Sequence, residues 1–214
     1  MAIVASERKH SEHFNSAEHE FVSSKQGMWL FLLQEVLFFA GLFVAYGIFR
    51  ALNPEMFHAA SQMLDVKMGA LNTVVLICSS LTMAFAVRSA QTNQTKKTTM
   101  YLIVTFLLAS VFLVVKYFEY SHKFHVGLLP GQYFTNTELT DPKSGLFFSL
   151  YFMMTGVHGL HIILGMLVIL WLVRRSSRNE FGSNYYTPVE LFGLYWHFVD
   201  LIWIYLFPLL YLID

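Results

Sequence analysis

Charge is the scarcest commodity in this sequence. Only 13% of its residues are charged, against about 25% in ordinary soluble domains. A water-soluble domain of this length could not cover its surface with so few ions. The balance is neutral, 14 basic against 14 acidic residues, so no basic field marks a nucleic-acid partner. Cysteine is almost missing as well. The single Cys78 lies in an apolar run, which excludes an internal disulfide and a cysteine-rich metal site. No signal peptide is expected in residues 1–27, which lack the basic start and the following apolar stretch that such a peptide needs. They mix His10, His13 and His19 with four glutamates and several serines. This reads as a solvated polar tail ending in a short interfacial helix, and the three histidines are more simply a polar tail than a metal site.

Apolar length is what the chain has in quantity, with 56% hydrophobic residues. A hydrocarbon core of about 30 Å takes roughly 20 apolar residues in a helix. Five runs meet that requirement, at about 28–49, 69–87, 100–118, 145–173 and 189–213. The expected fold is an all-α membrane protein, a bundle of five transmembrane helices. Residues 1–27 form a polar cytoplasmic segment and 28–214 the membrane domain. The longest loop joins the third and fourth spans and carries the turn formers Pro130, Gly131, Asp141, Pro142 and Gly145.

Loop charges set the orientation. With the N-terminus inside, Arg8, Lys9, Lys25, Arg88, Lys96, Lys97, Arg174, Arg175 and Arg178 are cytoplasmic, and Arg50, Lys67, Lys116, Lys123 and Lys143 are outside. The positive-inside rule then favours a cytoplasmic N-terminus and a periplasmic C-terminus. Arg50 and Lys116 stand at span ends, where long basic side chains can snorkel.

Ionisable groups inside spans are expensive and mark function by default. Glu35 lies a third of the way into the first span, on a face with Phe31, Phe38, Phe39 and Leu42. It is either a proton-handling or gating carboxyl, or a hydrogen-bonded structural acid that fixes helix contacts. In the fifth span Glu190, Gly193, His197, Asp200 and Ile204 share one stripe, with Trp196 and Trp203 off it. His197 and Asp200, three apart, can hydrogen-bond along the helix surface. In the fourth, Thr155, His158, His161 and Gly165 share a face, flanked by Gly156 and Gly159, which admit another backbone closely. The third ends in Glu119, Tyr120 and His122.

Three readings of these groups compete. A di-iron bundle needs two Glu-x-x-His motifs; only Glu119–His122 has that spacing, at the membrane edge. A bis-histidine haem would pair His158 or His161 with His197. An interhelical hydrogen-bond network, with each histidine meeting a polar partner on a neighbouring helix, fits the pattern better. A pore or transport path is disfavoured because no span is interrupted by Pro and Gly at its middle.

Five segments carry a family resemblance: "WLFLLQEVLFFAGLFVAY" (29–46), "LNTVVLICSS" (71–80), "KYFEY" (116–120), "TGVHGLHIILG" (155–165) and "YWHFVDLIWIYLFPLLY" (195–211). In order and spacing they resemble subunit III of the haem-copper oxidases, the cytochrome c oxidase type most closely. The resemblance touches all five spans. It implies a non-catalytic subunit with no haem or copper of its own, the metal centres being held by partner subunits. Such a chain packs beside subunit I, in company with subunit II and a small subunit IV, and supports rapid proton uptake and lasting activity. The family's intramembrane glutamate maps onto Glu35, its histidine pair onto His158 and His161, its Trp-His-x-x-Asp cluster onto Trp196, His197 and Asp200, and its acidic helix end onto Glu119. Many members have seven spans, with phospholipid held between the first two and the rest. Two spans are missing here, so bound phospholipid is expected only where other elements replace that arm. Five spans without a transit sequence point to a bacterial cytoplasmic membrane. The rivals are subunit III of a quinol oxidase, whose members tend to carry aspartate at the position of Glu35, an accessory subunit of nitric oxide reductases, a stand-alone transporter or proton channel, and an independent haem enzyme.

Overall fold

The computed structural model describes residues 14–136, 139, 141 and 143–213. His10, His13, Arg8, Lys9 and Pro142 of the sequence reading lie outside the described residues. Six α-helices follow one another: α1 Ala17–Leu52, α2 Pro54–Ser61, α3 Val66–Gln91, α4 Thr95–His125, α5 Ser144–Ser177 and α6 Thr187–Tyr211. Five of them, all but the short α2, are long and apolar enough to cross a membrane. No strand occurs among the described residues.

The helices run longer than the apolar runs that seeded them. At 1.5 Å per residue, the 36 residues of α1 extend about 54 Å, well beyond a hydrocarbon core. Once a span is nucleated, adding polar residues to its end costs little, and Ser16 caps the start by accepting from the backbone N–H of His19. The extension is docked: Lys25 pairs with Glu190 at 2.6 Å, and Phe21 meets Tyr186 edge-on. From Ala17 onward the polar stretch before the first span is thus helical and continuous with it. The short α2 is a feature the apolar-run reading did not contain. Pro54 occupies its first turn, where a missing N–H costs nothing, and Met56, Phe57 and Ala60 bury its inner face.

Packing organises the spans as a closed ring of four with one flanking helix. The ring runs α3 to α4, α4 to α5, α5 to α6 and α6 back to α3, while α1 lies along α6 and touches α5 lightly. Small residues set the closest approaches. A methyl on Gly165 of α5 would sit 2.6 Å from the Trp196 ring of α6, and one on Gly69 of α3 would sit 2.7 Å from Phe207. The outward faces are Leu, Val, Ile and Phe, exposed as lipid contact requires.

Three of the spans stop in the same way. Asn93 (φ 62°), Asn179 (φ 57°) and Gly127 (φ 74°) adopt left-handed conformations just past α3, α5 and α4. Each is followed by an amide that reaches back five residues: Gln94 to Ser89, Glu180 to Arg175 and Leu128 to Lys123. This recovers carbonyls that a helix end leaves unpaired. At Gly127 a side chain would also run into the Thr135 hydroxyl. Gly127→Ala should therefore cost about 1–2 kcal/mol or more from the backbone alone, read as a lower midpoint in thermal unfolding of the purified protein.

A buried polar network between the spans

A carboxyl placed in a span must find its partner on another helix, since lipid offers none. Glu35 of α1 finds His161 of α5, with 3.1 Å between Oε2 and Nε2. The ring is held from behind. Its Nδ1 lies 2.9 Å from the Val157 carbonyl, which can only accept, so Nδ1 carries the hydrogen. The Nε2–Oε2 contact therefore contains one proton, on the acid if the imidazole is neutral or on the imidazole if the acid is ionised. Phe39 covers the ring at 5.2 Å, and Tyr195 of α6 donates to the His161 carbonyl at 3.0 Å. Both partners keep 13% of their side-chain surface open, so the pair sits at the rim of the bundle. Beyond it, Met28, Phe31, Leu164, Trp171, Phe192 and Tyr195 line an apolar groove of about 450 Å³.

The α3–α6 seam is a ladder of hydroxyls meeting ring N–H groups. Trp196 donates to Ser79 at 3.1 Å, and Trp203 donates to Thr73 at 3.1 Å. His197 Nδ1 meets the Ser80 hydroxyl at 2.7 Å. The i, i+3 spacing had suggested a bond from His197 to Asp200, and the structure corrects it: neither oxygen of Asp200 has a hydrogen-bond partner among the described residues. Its neighbour is the Ser80 hydroxyl, which interacts with it but falls short of hydrogen-bond geometry. His197 turns to α3 because a hydroxyl across the seam is within reach of its ring.

A second correction concerns His158. It was expected to meet a polar partner on a neighbouring helix, yet both ring nitrogens are unpaired. The imidazole is fully buried and lies between aromatic rings, 5.5 Å from Phe112 and 5.2 Å from Trp203. Asn72 of α3 is likewise buried with its amide nitrogen and oxygen unpaired. At about 1–3 kcal/mol for each buried unmet polar atom, the two atoms each of Asn72, His158 and Asp200 would together rival the about 5–15 kcal/mol that separates folded from unfolded protein.

The best-satisfied group is the acid near the end of α4. Glu119 is 2% exposed and accepts from Lys116 at 2.9 Å, Tyr151 at 2.8 Å and Tyr211 at 2.6 Å. Lys123, itself 1% exposed, approaches to 3.5 Å. The Lys116 ammonium also donates to Tyr151 and Tyr211 at 3.2 and 2.8 Å. Rings of Tyr120, Tyr151, Trp203 and Tyr211 surround it at 4.8–5.5 Å. Lys116 does not snorkel; it points into the ring of helices and joins α4, α5 and α6. The spacing Lys116, Glu119, Lys123 on one helical face was the signal for this cluster. His122 takes no part in it and is exposed. Glu190, placed on the α6 stripe with Asp200, instead pairs with Lys25 of α1. Among the described residues, no three His, Cys, Asp or Glu side chains converge as metal ligands would.

A ring of four spans with a fifth along it, tied by acids, imidazoles and tyrosines that bond across helices, defines a polytopic α-helical membrane protein. The chain belongs to the cytochrome c oxidase subunit III family, whose model matches residues 3–214. It is 32% identical over 188 residues to cytochrome c oxidase subunit 3 of Synechocystis, covering 87% of this chain and 74% of that one. It is 32% identical over 190 residues to the Corynebacterium diphtheriae protein of the same name, covering 88% and 87%. It is 27% identical over 201 residues to cytochrome bo(3) ubiquinol oxidase subunit 3 of Buchnera aphidicola, covering 92% of each. It is thus a subunit III of a haem-copper terminal oxidase.

Removing Lys116 takes from the buried Glu119 its nearest cation, leaving Lys123 at 3.5 Å and two tyrosine donors. Lys116→Met should cost about 3–5 kcal/mol, whereas Lys67→Met, at an exposed position, should be near neutral. Thermal melts of the two variants, run side by side, check this.

Proposed function

We propose that this chain is the non-catalytic subunit III of a bacterial cytochrome c oxidase, lodged in the cytoplasmic membrane against subunit I, beside subunit II and a small subunit IV. The haems and copper belong to those partners. The chain's contribution is mechanical and electrostatic: it stabilises subunit I and supports proton uptake near it. The observation that carries the reading is the Glu35–His161 pair, an acid and an imidazole 3.1 Å apart in a chain that matches the family over residues 3–214. A group that holds one proton at the rim of the bundle suits a subunit that tunes its neighbour's proton entry. The cytochrome c branch is favoured by glutamate rather than aspartate at position 35. The quinol branch is the second reading, because a ubiquinol oxidase subunit 3 is similar over 92% of this chain.

In this reading the N-terminus is cytoplasmic and the C-terminus periplasmic, as the excess of basic residues in the loops on one side suggests. The apolar groove beside Glu35 suits one acyl chain of a phospholipid, with the polar foot of α1 and α6 at its end.

Two measurements test the proposal. The complex recovered with this chain in mild detergent should carry subunit II copper and oxidise reduced cytochrome c; a copper-free complex that oxidises quinol instead would move the chain to the other branch. Glu35→Gln should leave the haem spectrum of that complex intact while slowing sustained turnover. Loss of haem absorption in this variant would tell against an accessory role.

A further inference from the structure

Arg50 stands in the last turn of α1, just past the apolar run. The usual duty of a basic residue there is already filled. Asn53 caps the helix: its backbone N–H reaches the Phe49 and Arg50 carbonyls, and its side-chain amide donates to Phe49 at 3.1 Å. Among the described residues no carboxylate pairs with Arg50, whereas Lys25, Lys116 and Arg175 each have one. The side chain is half-buried and leans on the Tyr46 phenol. That phenol is itself fixed, donating to the Leu209 carbonyl at 2.5 Å. Most of the guanidinium N–H donors stay uncommitted. Beside them a groove of about 390 Å³ lies between α1 and α6, lined by Phe43, Tyr46, Gly47, Arg50, Tyr205 and Leu209. Phe43 is two turns before Arg50 and so about 10 Å deeper in the membrane. Gly47 keeps the wall open, since a methyl there would meet nothing within 4 Å. Tyr205, 61% exposed, faces outward at the mouth.

We propose that this groove holds one phospholipid, with its phosphate on Arg50 and one acyl chain along Phe43, Gly47 and Leu209. Charge and depth together select the occupant. The cation lies where the apolar run of α1 ends, which is headgroup level, and the rest of the lining is apolar or aromatic and continues towards the membrane centre. That is the outline of an amphiphile with an anionic head. A guanidinium matches two phosphate oxygens at once, and an outward-facing tyrosine near a span end is at home at the lipid–water boundary. A carboxylate from a partner subunit would meet the charge but leave the apolar trough beneath it unfilled. The site is at the opposite end of α1 from the groove beside Glu35. It rests only on α1 and α6 crossing lipid, and not on which oxidase branch the chain serves.

The test uses the intact oxidase complex, stripped of lipid in detergent and titrated with dioleoylphosphatidylglycerol under native mass spectrometry. Arg50→Gln should weaken the binding of one lipid about tenfold or more, the worth of a charge-assisted contact. Gly47→Leu, which keeps the cation and fills the trough, should lose the same lipid. Glycerophosphate, which has the anion without the tails, should not displace it at equal concentration. Unchanged lipid binding in either variant overturns the proposal, and effective competition by glycerophosphate reassigns Arg50 to a free phosphate. A cryo-electron-microscopy map of the unmodified complex gives a second, independent reading. Headgroup density within about 2.7–2.9 Å of the Arg50 nitrogens, continuing as a chain past Gly47 to Phe43, is the expected result. A partner subunit's side chain in that place, or an empty groove, rejects the lipid. If a variant fails to assemble, the map decides alone.

Discussion

Everything in this protein is arranged around a solvent that cannot hydrogen-bond. In lipid a polar side chain has no fallback partner, so each one must be met from inside the bundle. That constraint explains why the acids and imidazoles face other helices and why they occur at seams. Glu35 ties α1 to α5, Ser80 and His197 tie α3 to α6, and Glu119 with Lys116 ties α4 to α5 and α6. Apolar surface drives little association between helices that already sit in hydrocarbon. Close packing at Gly165 and Gly69 and these polar ties hold the ring together. Tyr46 adds one more tie, donating at 2.5 Å to the Leu209 carbonyl, one of the acceptors left over at the end of α6.

The spans were legible because lipid imposes a long, one-dimensional signal: runs of about 20 apolar residues stand out with no knowledge of contacts. The acid and imidazole positions were legible for the same reason, each being an exception within such a run. What each exception touches was not. His197 prefers a hydroxyl on α3 to the carboxyl on its own helix because a partner across the seam is set by register, which spacing along one chain does not encode. Lys116 was read as an end-of-span snorkeler. Its burial depends on tyrosines from α5 and α6 arriving at the same depth. His158 was expected, like the other span histidines, to meet a polar partner on a neighbouring helix, yet it is turned towards Phe112 and Trp203. The short α2 and the helical foot of α1 are amphipathic and polar respectively, and a search for apolar runs passes over both.

Membership of the oxidase family gives this arrangement its setting. A subunit of this kind needs surfaces that fit a larger neighbour and an interior that does not deform. The closed ring of α3, α4, α5 and α6 supplies the second, and the lightly attached α1, exposed along most of its length, is the part with surface to spare. Its foot is pinned to α6 by Lys25 and Glu190, so α1 is held at its foot, near its middle by Glu35 and towards its far end by Tyr46.

The bond from the His161 ring to the Val157 carbonyl has a consequence for how α1 is coupled to the ring. With one ring nitrogen committed, the gap between imidazole and carboxyl has room for a single hydrogen. A second would leave the neutral acid beside an imidazolium; withdrawal of the first would set a bare carboxylate against a nitrogen lone pair. A single hydrogen between two side chains thus ties the peripheral helix to the bundle it leans on.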